Sequence, residues 1–186
     1  MLILVGHSAS GKTEIANELK RNYDMKKIIT YTTRPIRVNE VNGIDYHFVS
    51  EEEFLKLKEK DFFVETTYFN GYYYGSSKED VKDENVVILD PLGVQNFKNS
   101  KLDNIIVIFL NCDEEIRYKR MINRGDDPLK AKERLIHDRE KFSFDKISGI
   151  DEIINTSVFS INYLSELVYK TYHKILLSKK EDKYVD

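Results

Sequence analysis

The chain has 186 residues, of which 41% are apolar and 33% are charged, and its net charge is -3. This length suits one α/β domain with a small inserted lobe, and the near-balance of charge gives no support for a nucleic-acid or membrane surface. Cys112 is the single cysteine, so an internal disulfide is excluded and a reducing, cytoplasmic location is expected. We expect no signal peptide, because the first residues already form a strand, and no membrane span or metal-binding cluster of histidines and cysteines.

The chain begins with an apolar strand, a glycine loop and an amphipathic helix. Leu2–Val5 is a short apolar run typical of a buried parallel strand, and Ile15, Ala16 and Leu19 share one face of the following helix. The loop between them fits the pattern G-x-x-x-x-G-K-[ST], in which backbone amides and the positive helix end cradle phosphates. The predicted ATP-binding residues of this loop are Gly6, His7, Ser8, Ala9, Ser10, Gly11, Lys12 and Thr13. We expect Lys12 to reach the β- and γ-phosphates of ATP and Thr13 to place its hydroxyl on Mg²⁺.

Short apolar runs then alternate with helical periodicity, which indicates an α/β fold. The other predicted core strands are Lys27–Tyr31, Val86–Leu89, Ile105–Leu110 and Glu152–Ile154. Between the second and third strands, residues 34–83 are rich in tyrosine and phenylalanine. This region contains Asn42-Gly43 and Asn70-Gly71, and each Asn-Gly pair predicts a tight hairpin turn. We therefore predict a small mixed lobe inserted into a parallel sheet.

Two later helices have recognisable start signals. Asp127 followed by Pro128 predicts an N-cap and a first helical residue, for a helix that runs to about Phe142. Ser160 is predicted to cap a last amphipathic helix. The inward residues of that helix are predicted to be Ile161, Leu164, Leu167, Val168 and Ile175. We expect the charged tail, Lys179–Asp186, to be frayed.

Charged side chains that could serve a phosphotransfer site flank the inserted lobe. Asp90 ends the apolar run VVIL, where a P-loop kinase places a Mg²⁺-linked aspartate; the alternative is a turn residue before Pro91. Arg34 and Arg37 are three residues apart, so their guanidinium forks could clamp one phosphate. Taken alone, such a pair is more often a solvated face.

Four further motifs follow the phosphate loop in order: residues 30–34 (TYTTR), 43–48 (GIDYHF), 63–65 (FVE) and 71–76 (GYYYGS). With these motifs the chain closely resembles guanylate kinase over most of its length. The resemblance implies an α/β P-loop NTPase fold, with a parallel five-stranded sheet flanked by helices, an inserted mixed α/β GMP-binding lobe and a short helical lid. The implied boundaries are 1–33, 84–123 and 143–186 for the core, 34–83 for the lobe and 124–142 for the lid.

The resemblance also implies roles at the GMP site. In the family, the GMP phosphate is held by residues that correspond to Arg34, Arg37, Tyr46 and Tyr74, and the base by those that correspond to Thr30, Glu65 and Ser76. For Glu65 the chemistry agrees, because guanine presents the donors N1–H and N2–H₂ side by side and an ionised carboxylate only accepts. Adenine presents an acceptor at N1, which would leave the carboxylate unpaired. Taken alone, the tyrosines would more often be core aromatics and Glu65 an exposed strand residue.

Arginines of the predicted lid are implied to close over the transferred phosphate. The family carries one arginine before a glycine and another about three turns later, and Arg124 and Arg134 match these best. Arg120 and Arg139 are candidate helpers, with a solvated helix face as the alternative. Asn155 corresponds to a family asparagine near the adenine, although the segment before it is longer than usual.

Three positions depart from the family's pattern. His7 and Ala9 stand where the phosphate loop usually has proline and glycine, while the first and last glycines are retained. Asn39 replaces a glycine, which is a mild change because asparagine tolerates left-handed backbone. Leu92 replaces a second aspartate that lies near the base and the metal in relatives, so catalytic rate and guanine selection are where we expect differences.

The leading hypothesis is phosphorylation of GMP, and also dGMP, by ATP with Mg²⁺, in a monomer or dimer without nucleic-acid or membrane partners. The expected neutralising groups for about six nucleotide charges are Mg²⁺, Lys12, Arg34, Arg37, Arg124 and Arg134. Two alternatives stay open: a kinase of the same fold for another phosphorylated acceptor, and a non-catalytic module that binds a protein partner. The sequence lacks an Asn-Lys-x-Asp base reader, which argues against a GTPase.

Overall fold

The computed structural model describes residues 1–38, 40–69, 71–100, 102, 104–142, 147 and 149–182. The strands are β1 (Leu2–Gly6), β2 (Lys26–Lys27), β3 (Tyr31–Thr32), β4 (His47–Phe48), β5 (Phe63–Phe69), β6 (Tyr72–Ser77), β7 (Asn85–Ile88), β8 (Ile106–Asn111) and β9 (Glu152–Asn155). The helices are α1 (Lys12–Tyr23), α2 (Glu51–Glu59), α3 (Pro91–Asn99), α4 (Glu114–Asn123), α5 (Pro128–Lys141) and α6 (Ile161–Asp182). Asn39, one of the three departures noted above, lies outside the described residues.

β1 lies at the centre of a five-stranded sheet with the order β2-β7-β1-β8-β9. Its neighbouring strands are all parallel, which confirms the predicted sheet. The chain fills the β2 and β7 side of β1 first and later adds β8 and β9 on the other side. In such a sheet, ligands bind in the crevice at the carboxyl ends of the strands where the order reverses, and here that crevice follows β1.

Helices cover both faces of this sheet. Because side chains alternate along a strand, Leu2 and Leu4 face the cluster formed with α1 and α6, whereas Ile3 and Val5 face α3. The predicted inward residues of α1 are confirmed, since Ile15, Ala16 and Leu19 are all 0% exposed. The predicted inward residues of α6 pack against the cluster that contains Leu2 and Leu4. Leu164 and Val168 are buried there, and Ile161, Leu167 and Ile175 are partly buried.

The run predicted as one strand, Lys27–Tyr31, is divided between two sheets. Ile28 N still donates to Val86 O of the core sheet at 2.8 Å, whereas Thr30 O accepts from His47 N at 2.9 Å. The hydrogen-bond partner therefore changes from β7 to β4 within three residues. An apolar run indicates extended backbone but does not reveal which strand supplies its partner.

The second sheet has the order β4-β3-β6-β5, in which β4, β5 and β6 come from the predicted lobe 34–83 and β3 comes from the residues just before it. β5 and β6 form an antiparallel hairpin in which Phe69 pairs with Tyr72, and Gly71 has φ +84°, so the hairpin predicted there is confirmed; Asn70 lies outside the described residues. The hairpin predicted at Asn42-Gly43 is wrong, because β3 and β4, on either side of it, are parallel. The Asn42 side chain instead accepts a hydrogen bond from Phe48 N at 2.9 Å and closes a loop.

The predicted helix starts are confirmed, and the predicted tail is not. The Asp127 carboxylate accepts from the first amides of α5, and Ser160 Oγ accepts from Tyr163 N at 3.3 Å. α6 continues to Asp182, and Lys179 Nζ in its last turn donates to the Asp151 carboxylate at 2.6 Å. Fraying was therefore the wrong expectation for residues 179–182, and residues 183–186 lie outside the description. Within the described ranges, no helix has the length and apolar character needed to cross a membrane.

Gly6 ends β1 at a point where β8 comes very close. Its φ is +154°, and an added Cβ would lie 2.5 Å from Leu110 O, which belongs to a buried strand. We expect Gly6→Ala to lower the free energy of unfolding by about 3 kcal/mol, through backbone strain and overpacking. Gly125 is the control, since its φ is +92° and no atom of the described residues lies within 4 Å of its added Cβ. Gly125→Ala should cost only about 1 kcal/mol, and equal losses in urea unfolding would contradict the steric argument.

Candidate active site

The phosphate loop joins the end of β1 to the start of α1. Gly11, which has no side chain to cap the helix, is the N-cap of α1 and has φ +97°. The amides of the first helical turn and the positive end of the helix dipole are therefore directed at the loop. Ala9 has φ +59°, a left-handed conformation that costs an alanine about 1 kcal/mol and that glycine adopts freely.

Lys12 folds back onto this loop. Its Nζ donates to Gly6 O and to His7 O, both at 2.7 Å. Burial lowers the pKa of Lys12 to about 8, and the Asp138 carboxylate opposes that shift. Two neutral carbonyl groups thus hold a desolvated cation, and an anion bound in the loop would raise its pKa again.

Asp138 of α5 contacts the same loop and was not predicted from the sequence. Its carboxylate accepts from Ser8 N at 2.7 Å, from Ser8 Oγ at 3.2 Å and from Arg117 Nη1 at 2.9 Å. Asp138 and Arg117 are both buried, so each neutralises the other. A signal was available, because Asp138 lies on the stripe of α5 that also carries the buried Ala131 and Leu135. An acid on an apolar helix face requires a partner.

The arginines of α4 and α5 divide into supporting and exposed groups. Arg120 donates to Ala9 O at 3.2 Å and to Thr156 O at 2.6 Å, so it fastens the phosphate loop to the end of β9. Arg124 and Arg134 are exposed and share the Asp126 carboxylate, with N–O distances of 2.6 and 3.2 Å. The structure thus brings the two predicted lid arginines together. Arg139, the other candidate helper, pairs with Glu114.

A cavity of about 260 Å³ lies between the second sheet and the carboxyl end of β7. It is lined by Thr30, Tyr46, Glu65, Thr67, Tyr74, Gly75, Ile88, Leu89, Asp90 and Gly93. Most of the residues predicted for the GMP site therefore meet in one place. Ser76, also predicted, is buried and reaches the cavity through its hydrogen bond to Glu65.

Glu65 is the buried charge of this cavity, with only 8% of its surface exposed. Its Oε1 accepts from Ser76 Oγ at 3.1 Å and its Oε2 from Thr67 Oγ1 at 3.2 Å. Burial raises the pKa of Glu65 to about 7, and hydrogen bonds from Ser76, Thr67 and Asn96 oppose that shift. The carboxylate is fixed in direction, and each oxygen retains a lone pair for another donor.

Arg34 lies beside the tyrosines, and its guanidinium is bonded to the Glu40 carboxylate. Its Nη2 donates to both Glu40 oxygens, at 2.8 and 3.0 Å, and its guanidinium lies 5.5 Å from the centre of the Tyr46 ring. The Tyr46 and Tyr74 rings are 6.2 Å apart. Arg37 is exposed and contacts Glu40 through its backbone N–H. Glu40 therefore marks an anion position between the two arginines.

Asp90 connects this cavity to α5. Its carboxylate caps α3 by accepting from Gly93 N at 2.8 Å, and Lys141 Nζ at the end of α5 lies 2.9 Å from it. Lys141 was not predicted as a site residue. Leu92, one of the departures noted above, is 49% exposed and apolar, so it supplies no acceptor. Thr13 is exposed on the first turn of α1.

A second cavity, of about 610 Å³, lies on the α1 side of the phosphate loop. It is lined by Ala9, Ser10, Gly11, Glu14, Asn17, Glu18, Arg21, Arg120, Asn123, Arg124, Phe159, Ile161 and Leu164. Phe159, which is half exposed, was not predicted as a site residue. Asn155 is not in the lining; it is exposed at the end of β9, where its side chain accepts from Ser157 N at 2.8 Å.

A parallel sheet with a phosphate loop after its central strand, a cavity in an inserted lobe and an arginine-bearing helical segment define a P-loop nucleoside monophosphate kinase fold. Comparison with known proteins narrows this class. The family model described as guanylate kinase matches residues 1–160. The chain belongs to the guanylate kinase family, and it is an enzyme of the nucleoside monophosphate kinase type.

Individual relatives agree with this assignment. The guanylate kinase of Blochmanniella floridana is 31% identical over 187 residues, covering 93% of this chain and 87% of the relative. The guanylate kinase of Clostridium perfringens is also 31% identical, covering 97% of this chain and 83% of the relative. A solved guanylate kinase from Anaplasma phagocytophilum superimposes with a TM-score of 0.66 at 19% identity, over 95% of this chain and 85% of that one. This last likeness shows the fold.

The raised pKa of Glu65 has a consequence for stability. A carboxyl group with a folded pKa of about 7 against an ordinary 4.5 contributes stability below pH 4.5 that is lost as the pH rises through 7. Relative to wild type, Glu65→Gln should therefore gain about 3 kcal/mol of unfolding free energy between pH 4.5 and pH 8. Urea unfolding across that range measures the difference, with the exposed Glu59→Gln as control. A pH-independent difference would contradict the burial of an ionised Glu65.

Proposed function

We propose that this chain transfers the γ-phosphoryl group of ATP to GMP, and to dGMP, with Glu65 selecting the base. The observation that carries the proposal is the buried Glu65 carboxylate, held by two hydroxyls in a cavity beside Asp90. Its free lone pairs match the paired donors N1–H and N2–H₂ of guanine. An ionised acceptor in a desolvated cavity rejects adenine, because the carboxylate would face the N1 lone pair without a hydrogen bond.

The GMP phosphate takes the place that Glu40 holds between the two arginines. One guanidinium nitrogen of Arg34, Nη2, donates to both Glu40 oxygens, and a phosphate dianion fits the same position with more charge. Arg37 is exposed nearby and completes the clamp, while Tyr46 and Tyr74 donate their hydroxyls. Thr30 lines the same cavity and contacts the base together with Ser76.

ATP lies along the phosphate loop, with its adenosine in the second cavity. The amides from Gly6 to Thr13 and the ammonium of Lys12 hold the phosphates. Asn155 lies outside the lining of the second cavity, so this placement of ATP gives it no contact with the adenine. Arg124 and Arg134 exchange the shared Asp126 for the phosphoryl group in transfer. These cations offset the charge of two nucleotides, which is what allows a phosphate oxygen to approach phosphorus.

The side chains that would hold Mg²⁺ are Thr13 and Asp90. Within the described part of the chain, no group of three or more His, Cys, Asp or Glu side chains could hold a metal ion. A hydroxyl and one carboxylate fit Mg²⁺, which keeps few protein ligands and several phosphate oxygens and waters. When bound, the ion supplies charge neutralisation at the phosphates.

Catalysis by these residues consists of positioning and charge stabilisation. The attacking GMP oxygen is already ionised near neutral pH, so no side chain is required as a general base. The lobe 34–83 and the lid 124–142 close on the core 1–33, 84–123 and 143–186 and exclude water, which prevents hydrolysis of ATP. We assign this activity to a cytoplasmic monomer or dimer.

Replacing Glu65 separates GMP recognition from ATP binding. We expect Glu65→Gln to lower kcat/KM for GMP about 100-fold, because an amide cannot accept from both guanine donors, while the KM for ATP changes less than about twofold. A coupled ADP-release assay with GMP, AMP and UMP measures this, with Glu59→Gln as the matched exposed control. An unchanged GMP rate would remove Glu65 from the site, and wild-type turnover of AMP or UMP at the GMP rate would overturn the assignment.

Replacing Lys12 tests the phosphate loop. We expect Lys12→Ala to lower kcat by at least about 1,000-fold, because the cation on the transferred phosphate is lost. The fold should survive, since removing a desolvated ammonium relieves a burial cost. Lys20→Ala, on an exposed position of the same helix, is the control for ADP release and for the denaturant midpoint. Residual phosphoryl transfer within tenfold of wild type would contradict the assigned role.

A further inference from the structure

The wall of the Glu65 cavity contains a chain of hydrogen bonds to which the reaction above assigns no role. Thr67 follows Glu65 by two residues on β5, so both side chains project from the same face of the sheet and line the cavity. Thr67 Oγ1 lies 3.2 Å from Glu65 Oε2. Asn96 Nδ2, from α3, lies 2.8 Å from Thr67 Oγ1. β5 and α3 thus meet at the Thr67 hydroxyl, which contacts one oxygen of the Glu65 carboxylate.

The donors and acceptors give this chain a single direction. A hydroxyl has one hydrogen, so Thr67 Oγ1 donates to the carboxylate and accepts from the Asn96 amide. A hydroxyl that accepts a hydrogen bond becomes a better donor, which strengthens its bond to Glu65. Ser76 Oγ occupies the other carboxylate oxygen. Each oxygen is thereby oriented by one hydroxyl donor.

We propose that Thr67 and Asn96 are positioning residues for guanine selection, which act by holding the Glu65 carboxylate in the plane and protonation state that two adjacent donors require. This role rests on the function proposed above. Losing the Thr67 hydroxyl frees one carboxylate oxygen to rotate out of line with N1–H and N2–H₂. It also removes a donor that favours the charged form, and a neutral carboxyl group would donate to the N1 lone pair of adenine.

The surroundings of Glu65 disfavour its charged form, so these neutral donors are needed to stabilise it. Burial raises the pKa of Glu65 to about 7, and the Asp90 carboxylate on the same cavity raises it further. The other titratable groups in the lining are the hydroxyls of Tyr46 and Tyr74. Hydrogen bonds from Ser76, Thr67 and Asn96 lower the pKa of Glu65 and so oppose this rise. The ionised form of Glu65 is therefore stabilised by uncharged hydrogen-bond donors in place of an ion-pair partner.

The test compares isosteric variants on the two faces of β5. Thr67→Val keeps the shape and loses the hydroxyl, Thr67→Ser keeps the hydroxyl, and Thr66→Val makes the same change on the opposite face of the strand. The substrates are GMP and inosine monophosphate, which lacks the 2-amino group. We expect Thr67→Val to lower kcat/KM for GMP about tenfold, to reduce the preference for GMP over inosine monophosphate, and to leave the KM for ATP unchanged.

The accompanying variants distinguish positioning from a structural role. Thr67→Ser and Thr66→Val should stay within about twofold of wild type, and Asn96→Ala should lose about threefold in the same direction as Thr67→Val. The acid limb of kcat/KM for GMP should move to higher pH in Thr67→Val, because the ionised carboxylate loses a donor.

Several results would overturn the role. They are GMP kinetics of Thr67→Val equal to wild type, a Thr67→Ser variant as impaired as Thr67→Val, or a loss of rate that leaves the preference for GMP over inosine monophosphate unchanged. A wild-type chain without GMP turnover would overturn both the proposed function and this role. A GMP-active wild type with an unaffected Thr67→Val variant would overturn this role alone.

Discussion

The central constraint in this structure is the burial of two opposite charges that are held by neutral groups. Lys12 donates to two backbone carbonyls of the phosphate loop, and Glu65 accepts from two hydroxyls in the lobe. Burial shifts the pKa of each toward neutrality, to about 8 for Lys12 and about 7 for Glu65. Dipoles stabilise a buried charge less than a counter-ion does, so both groups are left ready for a ligand of complementary chemistry. The free protein loses stability for this readiness, a trade-off common at functional sites.

α5 connects the two halves of the site. Asp138 bonds to Ser8 of the phosphate loop, and one turn later Lys141 reaches Asp90 on the border of the Glu65 cavity. The same helix carries Arg134 at its middle, where it shares Asp126 with Arg124. The C-terminal half of α5 is therefore anchored by buried and half-buried contacts, whereas Arg134 at the middle of the helix has an exposed side chain. This division agrees with the lid proposed above, which would move its cations while keeping its attachment to the core.

Most of the fold and part of the site could be predicted from local sequence signals. The phosphate loop, the strands β1, β7, β8 and β9, and the caps of α5 and α6 depend on residues that are adjacent in the chain. The wrong predictions concern segments whose conformation depends on a partner strand or on a side chain that is distant in sequence. Lys27–Tyr31 changes partner between sheets, and the Asn42 side chain bonds to Phe48 instead of supporting a hairpin. Lys179 lies in the last turn of α6 and bonds to Asp151, and no local pattern near residue 179 reveals this contact.

The sequence by itself determined that a lysine and a row of amides meet at the end of a buried strand, because spacing alone fixes a loop of that length between a strand and a helix. Motif order also predicted that Glu65, Arg34 and the tyrosines belong to one site. Only the tertiary structure showed how that site is held. The Asn96–Thr67–Glu65 chain joins α3 to β5, the Asp138–Arg117 pair joins α5 to α4, and Glu40 accepts from Nη2 of Arg34. The Asn96–Thr67 and Asp138–Arg117 contacts join residues more than twenty positions apart, and their worth depends on burial, which exists only once the chain has folded.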